Sequence, residues 1–385
     1  MSDKSFEILV KKDALELALK ISSSSAKPSY VGGDQTAFVL FRADDKVPKK
    51  LWLLADDHQT RSQVPLMCES VVGTPLFSAE CGKLLKVVST VDEGGIRIKG
   101  DDDTWVVRME DFEGPLPYMD TGKHLMSGVD ISLPEVKEGD ERVEPFSIGQ
   151  HTLSPVLTLA SKFINTDPKY PMLSVAQLRA STLLAGDPGK WMVYALGEGA
   201  PPCKFEAGSL TNILRFLQPQ ESSDVDLLIH ENRGFLRHND SGSIIQFFLP
   251  EQDFPPLGDL LKGFEPDVSM EVDHHALIKS FNRLQVYLSP DRTYLNFALP
   301  KGSDVLELSG VNIHNSSIND RFKVDVTKAQ ESDLSFDLRV QSLKDALKSL
   351  PEGAMQLDYY ASKQTVQIYS KVEGSPALKI GLVLG

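Results

Sequence analysis

Cysteine is scarce in this sequence, and its spacing excludes much of the chemistry that cysteine supports. Cys68, Cys81 and Cys203 lie far apart, are odd in number and match no metal-ligand spacing. We therefore expect three free, buried thiols rather than a disulfide framework or a zinc site. We expect no metal and no cofactor.

Long apolar runs and catalytic signatures are also missing. No run of eighteen apolar residues occurs, and Met1 to Lys12 lacks the apolar core of a signal peptide, so we expect a soluble protein in the cytoplasm. There is no phosphate-binding loop, nucleophile elbow, zinc-deaminase signature or dinucleotide fingerprint. Asp56, Asp57 and His58 are adjacent, but no second ligand cluster follows at a useful spacing. We predict that the protein is not an enzyme.

Positive charge is outnumbered, with 40 Lys and Arg against 54 Asp and Glu and a formal net charge of −14. This balance argues against a protein that wraps nucleic acid tightly by charge. A local basic surface remains compatible with it, because net charge averages over faces that never meet the same partner.

What the sequence does contain is an internal repeat. Three amphipathic stretches about 130 residues apart share an apolar pair followed by a basic residue. They are Leu84-Leu85-Lys86, Ile213-Leu214-Arg215 and Ala346-Leu347-Lys348. One match of this kind is uninformative, but three matches at a domain-sized period indicate duplication.

Other segments repeat in the same order. Phe6 to Ile21, Phe146 to Phe163 and Met270 to Leu284 each predict a strand running into a helix. Strand-like runs follow both helices of every copy. We therefore predict an α+β fold of three tandem like domains, each with two helices packed on antiparallel sheets. Their expected bounds are 1–135, 136–267 and 268–385, because charged or proline-rich linkers fall near those positions.

Three like domains in a row would present their helices on one surface. If two copies join head to tail, those helices line the inside of a ring, and the acidic stretches Asp101 to Asp103 and Glu138 to Glu141 fall outside. Such a ring reconciles basic helices with an acidic chain.

The chain resembles the bacterial beta sliding clamp, the processivity factor of the replicative DNA polymerase. The resemblance covers nearly the full length and rests on the strand-helix openings, the three basic helices, Gln252 to Leu261 and the C-terminal run "ALKIGLVLG". Its low identity indicates a divergent member, and a cellular or phage origin is left open. The resemblance implies a homodimeric ring that encircles double-stranded DNA without reading its sequence. It also implies short peptides of the polymerase and the clamp loader as partners.

The resemblance also implies site residues. Those expected to face DNA are Lys27, Lys86, Lys169, Tyr170, Arg215, Lys279, Arg283, Lys344 and Lys348. Those expected in the partner-peptide cleft are Leu173, Asp187, Lys190, Trp191, Pro255, Leu260, Leu378 and Ile380. Those expected at the dimer interface are Trp105, Tyr287 and Leu288. The family's "TDGHRL" loop is "GDPGKW" here, so we expect a peptide specificity different from the common bacterial motif.

A second hypothesis is a clamp-fold scaffold that binds peptides but does not encircle DNA. Asp13, Glu16 and Asp345 favour it, because they lie on or beside the helices expected to line the ring and reduce its positive charge. Retention on circular DNA separates the two hypotheses.

Overall fold

The structure is a computed structural model. It describes residues 5–28, 34–100, 105–109, 112–117, 119–131, 133–134, 146–167, 169–179, 182–196, 200–220, 224–255, 261–289, 293–312, 314–328, 332–371 and 378–385. Leu260 and the acidic stretches Asp101 to Asp103 and Glu138 to Glu141 lie outside these residues.

Six helices occur in the described residues, and each begins directly after a strand. They are α1 (Lys12–Ser22), α2 (Cys81–Val88), α3 (Gln150–Ser161), α4 (Ala207–Leu217), α5 (His274–Tyr287) and α6 (Val340–Leu347). Their apolar residues recur at three- and four-residue spacing, as with Leu15, Ala18 and Leu19 of α1, which are all buried. None of these helices combines the length and apolar character needed to cross a membrane.

The chain forms two compact units. Unit 1 comprises Met1–Leu157 and Gly208–Pro250. Its larger sheet contains, in spatial order, β10 (Phe146–Gly149), β15 (Asp224–His230), β16 (Arg233–His238), β17 (Ile244–Phe248), β4 (Thr60–Met67), β3 (Lys50–Asp56), β2 (Phe38–Ala43) and β6 (Leu76–Glu80). Its smaller sheet contains β5 (Ser70–Val72), β1 (Phe6–Lys11), β7 (Gly95–Gly100), β8 (Trp105–Met109) and β9 (Phe112–Pro115).

Unit 2 comprises Thr158–Ala207 and Glu251–Gly385. Its larger sheet contains, in spatial order, β14 (Cys203–Glu206), β11 (Val175–Arg179), β12 (Thr182–Asp187), β13 (Lys190–Ala195), β26 (Leu378–Val383), β25 (Thr365–Ser370), β24 (Ala354–Tyr360), β18 (Val268–Asp273) and β22 (Asp325–Lys328). Its smaller sheet contains β21 (Ser317–Lys323), β20 (Val305–Val311), β19 (Tyr294–Leu299) and β23 (Leu334–Arg339).

The two larger sheets repeat one arrangement. In unit 1 the run β10-β15-β16-β17 joins the run β4-β3-β2-β6 through the antiparallel pair β17–β4. In unit 2 the run β18-β24-β25-β26 joins β13-β12-β11-β14 through the antiparallel pair β26–β13. Each smaller sheet matches half of this arrangement. The strands β1-β7-β8-β9 correspond to the first run, and β21-β20-β19-β23 correspond to the second.

The described residues confirm several expectations from the sequence. The three strand-helix openings are β1 with α1, β10 with α3 and β18 with α5. The packing of helices with antiparallel strands confirms the α+β class. All three cysteines are free and buried, and burial raises the pKa of Cys68 and of Cys81 to about 12 and that of Cys203 as well.

Candidate functional site

An apolar cavity of about 520 Å³ lies within unit 2. It brings together four of the residues predicted for a partner cleft, namely Leu173, Asp187, Trp191 and Pro255. The remaining lining residues are Lys169, Tyr170, Pro171, Met172, Pro188, Lys363, Thr365 and Val383. A concave apolar surface with a few charged side chains is typical of a site for a short peptide.

Trp191 lies in this cavity because the opposite strand carries a glycine. Trp191 of β13 pairs with Gly381 of β26, and a Cβ at Gly381 would lie 1.9 Å from the indole Cε2. The indole therefore occupies the space above the glycine, where it is 2% exposed and packs with Leu261 and Tyr360. The sequence shows the tryptophan and the glycine, but only the strand register brings them together.

The approach to the cavity carries exposed apolar side chains. Tyr170 is 47% exposed and Met172 is 49% exposed, and both precede Leu173 in the segment that lines the cavity. Lone exposed apolar residues are common, but these two adjoin an apolar cavity. A partner segment seated there would cover them.

Three other predicted cleft residues do not line the cavity. Leu378 and Ile380 are buried strand residues of β26. Lys190 is 6% exposed, forms an ion pair with Asp345 of α6, and lies 5.2 Å from the ring centre of Phe163. Leu260 lies outside the described residues.

The residues predicted to face DNA differ in their surroundings. Arg215, Lys279 and Lys348 are exposed helix-end or helix-surface cations, and within the described residues no ion pair is formed by any of them. Arg283 is exposed but forms an ion pair with Asp320 at 2.7 Å. Lys344 is half-buried, whereas Lys169 and Tyr170 are exposed beside the cavity.

Lys27 is held inside unit 1. Its ammonium contacts the side-chain oxygen of Asn212 in α4 and lies 3.7 Å from Asp57. Burial lowers the pKa of Lys27, the positive charge of Arg215 adds to this effect, and Asp57 opposes it. Asn212 also donates to Asp57 at 2.8 Å and to Thr60 at 2.9 Å. Sequence reasoning missed this network, because its members are far apart in the chain.

Lys86 occupies a different helical position from Arg215 and Lys348. Counted from the first residue of each helix, Lys86 of α2 corresponds to Asn212 of α4 and Asp345 of α6. Arg215 and Lys348 instead correspond to Ser89, which ends α2 as Lys348 ends α6. The alignment drawn from the sequence is therefore displaced by one helical turn at α2.

The acidic residues noted near the helices are paired within the chain. Glu16 lies 2.7 Å from both Lys12 and Lys20, and these two lysines lower the pKa of Glu16 to about 2. Asp345 pairs with Lys190 and accepts a hydrogen bond from Gln341 at 2.8 Å. Only Asp13 among the three is strongly exposed, with 93% of its side-chain area accessible.

The predicted dimer residues lie in two places. Trp105 is buried, with its ring 5.7 Å from that of Phe77. Tyr287 ends α5 and is 65% exposed, and Leu288 forms a β-bridge with Asn312. The exposed end of α5 therefore lies beside the turn that joins β20 to β21.

The adjacent residues Asp56, Asp57 and His58 form a tight turn. Asp56 accepts the backbone N–H of His58 at 2.7 Å and pairs with Arg61, while His58 has a φ of 70°. Among the described residues, no group of three or more His, Cys, Asp and Glu side chains is arranged to hold a metal ion.

Solved structures that align with this chain include bacterial sliding clamps. The DNA polymerase III beta subunit of Thermotoga maritima aligns over 99% of both chains with a TM-score of 0.82 at 14% identity. A DNA polymerase sliding clamp of Pseudomonas aeruginosa aligns over 99% of both chains with a TM-score of 0.80 at 13% identity. One from Caulobacter crescentus aligns over 98% of this chain and 99% of its own, with a TM-score of 0.81 at 13% identity.

These alignments confirm the fold predicted by the resemblance: the chain has the fold of the bacterial DNA polymerase III beta subunits. No family model matches the sequence, and no curated protein does. At 13 to 14% identity these alignments establish the fold and not the function.

Proposed function

We propose that this protein is a DNA sliding clamp. Two copies join head to tail into a ring of six domains, with the three domains of each copy at 1–135, 136–267 and 268–385. The ring encircles duplex DNA in the cytoplasm of a bacterial or phage-infected cell and tethers a DNA polymerase and a clamp loader. This function requires no catalytic residue.

The observation that carries the proposal is the pair of incomplete sheets. In each larger sheet, one run ending in β17 or β26 pairs with another run beginning at β4 or β13. The smaller sheets offer the same two edges, β9 and β21, and within the described residues neither edge has a partner strand. Because one chain carries one edge of each kind, two copies can satisfy both edges by pairing β9 of each copy with β21 of the other.

Exposed apolar side chains support this closure. Phe112 in β9 is 47% exposed, and Val286 and Tyr287 near the β20–β21 turn are 77% and 65% exposed. Unpaired strand edges and exposed apolar residues are both unfavourable in a protein that remains a monomer. Leu288 adjoins the same surface, and Trp105 is buried in β8, the strand that pairs with β9.

A ring can hold DNA by topology, so it requires only weak contacts with the phosphates. Exposed cations such as Arg215, Lys279 and Lys348 would centre the duplex, while many tight phosphate contacts would oppose sliding. No base readout is expected from such contacts. Lys169, Tyr170, Arg283 and Lys344 complete the proposed DNA-facing set, to which Lys27 contributes through its contact with α4.

The cavity around Trp191 is the proposed docking site for partner peptides. Its apolar lining can bury one or two apolar side chains, and the strand-held indole is a rigid anchor for them. Asp187 and Pro255 line it, Leu378 and Ile380 form the strand behind it, and Lys190 supports the turn beside it. Leu260 is also proposed for this docking site, on the basis of the family resemblance alone.

The proposal is tested by retention on DNA. The protein at micromolar concentration is incubated with nicked circular duplex DNA, and bound protein is separated by gel filtration in 0.5 M salt, where phosphate contacts are screened. We expect protein to stay with the circles and to leave when a restriction enzyme cuts them. A dimer that binds peptides but never stays with circles would establish the scaffold instead.

Charge variants test the DNA-facing residues. The pair Arg215→Glu and Lys348→Glu should reduce the retained fraction by about tenfold, because both changes repel phosphates. The control pair Lys46→Glu and Lys301→Glu changes the net charge equally at exposed positions outside the helices. Equal retention by both pairs would contradict the roles of Arg215 and Lys348.

A further inference from the structure

The two completed sheets show how a strand junction is built. We call the β17–β4 contact junction 1 and the β26–β13 contact junction 2. In both, the turn before the second strand is capped by an aspartate, which is Asp57 or Asp187. Asp57 accepts the backbone N–H groups of Gln59 and Thr60 at 3.1 and 2.9 Å. Asp187 accepts those of Gly189 and Lys190 at 2.7 and 2.9 Å.

In both junctions the sixth residue of a helix contacts this turn. In junction 1 it is Asn212 of α4, which donates to Oδ2 of Asp57 at 2.8 Å. In junction 2 it is Asp345 of α6, which pairs with Lys190. In both junctions the contact joins the sixth residue of a helix to the aspartate-capped turn. In each one a hydrogen-bond donor faces an acceptor: Asn212 faces Asp57, and Lys190 faces Asp345.

The incomplete sheets carry the parts of a third junction. The sixth residue of α2 is Lys86, which lines a groove of about 330 Å³ between α2 and β9 together with Val87 and Phe112. At the other edge, the turn before β21 is capped by Asn312, whose Oδ1 accepts the N–H groups of His314 and Ser316 at 2.8 and 2.9 Å. The backbone of Asn312 also resembles that of Asp57. The N–H of Asn312 donates to the carbonyl oxygen of Ser316, as the N–H of Asp57 donates to the carbonyl oxygen of Thr60.

We infer that Lys86 of one copy contacts the Asn312-capped turn of a second copy, and that this third junction is mismatched. In junction 1 the second carboxylate oxygen of Asp57 faces the helix. At Asn312 the oxygen is already used by the turn, so its NH₂ group takes the place of that second oxygen. NH₂ and the Lys86 ammonium are both donors, so neither satisfies the other.

The consequence is a closing contact weaker than the two internal ones. Junctions 1 and 2 each hold a carboxylate where this junction holds an amide. The inference assigns Lys86 to the copy-to-copy contact rather than to the DNA-facing set, and it rests on the head-to-tail dimer proposed above.

The test restores the missing carboxylate. Asn312→Asp keeps the turn-capping oxygen and presents a second oxygen to Lys86. We expect the dissociation constant of the dimer, measured by sedimentation equilibrium, to fall by about tenfold, since two such contacts form per dimer and each is worth a surface ion pair. In a Lys86→Ala background the same change should have no effect.

The controls separate this inference from the function on which it rests. In a Lys46→Ala background, which removes an exposed lysine elsewhere, Asn312→Asp should still tighten the dimer. An unchanged or weaker Asn312→Asp dimer, or tightening that persists with Lys86→Ala, would overturn the contact while leaving the dimer standing. A wild-type protein that stays monomeric at every concentration would overturn both. Lys86→Ala should also leave the DNA-retained fraction unchanged once corrected for the dimer concentration.

Discussion

Junctions 1 and 2 occupy equivalent places in their sheets but use different chemistry. Junction 1 is a hydrogen-bond network in which neutral Asn212 bridges Asp57, Thr60 and a half-buried Lys27. Junction 2 is an ion pair in which Lys190 is almost fully buried against Asp345. The comparison indicates that the fold fixes which positions meet, while the side chains need only match as donor and acceptor.

The largest expected effect is at junction 2. Asp345→Asn removes the nearer of the two carboxylates that pair with the buried Lys190 and leaves Asp187, at 3.9 Å. It should lower the free energy of unfolding by about 3 kcal/mol, because a buried charge that loses its close partner is costly. Urea unfolding measures it. Combining Lys190→Met with Asp345→Leu should recover most of the loss. A single Asp345→Asn variant as stable as the wild type would show that the pair is not needed.

The next effect concerns the Trp191–Gly381 pair, which lies within junction 2 and has no counterpart in junction 1, where Arg61 pairs with Gln246. Gly381→Ala places a Cβ 1.9 Å from the Trp191 indole. The ring must move, and we expect a loss of about 2 kcal/mol in stability together with altered partner binding. Trp191 fluorescence and urea unfolding report both changes. Adding Trp191→Leu should restore stability, and an unshifted Trp191 emission in Gly381→Ala would contradict the packing.

A smaller effect is expected at junction 1. Asn212→Ala removes an amide that joins Asp57, Thr60 and Lys27. It should cost about 1 to 2 kcal/mol, since Asp57 and Thr60 are buried and lose a hydrogen-bond donor. Asn212→Asp keeps an acceptor for Lys27 but brings two carboxylates together, so it should be no better than alanine. If Asn212→Asp matched the wild type, the donor role of Asn212 toward Asp57 would be wrong.

The smallest effect distinguishes the half-buried Lys27 from the buried Lys190. Burial lowers the pKa of Lys27 from 10.5 in the folded state, so its protonated form opposes folding below that lowered pKa. This opposition fades as pH rises through the folded pKa toward 10.5. Lys27→Met should therefore change stability at pH 7 by no more than about 0.5 kcal/mol. Lys190→Met, which strands Asp345, should lose several times more.

The pH series supplies the check on Lys27. The stability of the wild type relative to Lys27→Met should rise as the pH is raised toward 10.5, because the lysine loses its proton more readily in the folded state. A relative stability that falls over this range would mean that the folded protein raises the pKa of Lys27 instead.

Much of the fold could be predicted from the sequence because strands and helices leave local periodicities of apolar residues. The strand-helix openings Phe6 to Ile21 and Met270 to Leu284 contain both periodicities within one segment, and the structure has β1 with α1 and β18 with α5 there. The strand-like runs at Lys50 and Ser181 are also present, as β3 and β12.

The register of the repeated helices could not be predicted in the same way. Apolar residues on a helix recur every three or four positions, so sliding α2 by one turn still places Leu84 on a buried face. The sequence therefore aligned Lys86 with Arg215, whereas the strand that precedes each helix aligns it with Asn212. Only the strand-to-helix boundary resolves the one-turn ambiguity.

The cavity was predictable in part. Leu173, Asp187, Trp191 and Pro255 were expected there from the family resemblance and do line it. Lys190 was expected there as well, but its role depends on Asp345, which is 155 residues away in the chain. Long-range pairs of this kind leave no local signal, and the same is true of Asn212 with Lys27.

The proposed ring depends on the pairing of β9 of one copy with β21 of the other. The mass of the protein in solution tests this pairing directly. Sedimentation velocity at micromolar concentration should give a species of about 85 kDa, twice the 42.5 kDa of one chain. A single 42.5 kDa species across that concentration range would contradict the ring.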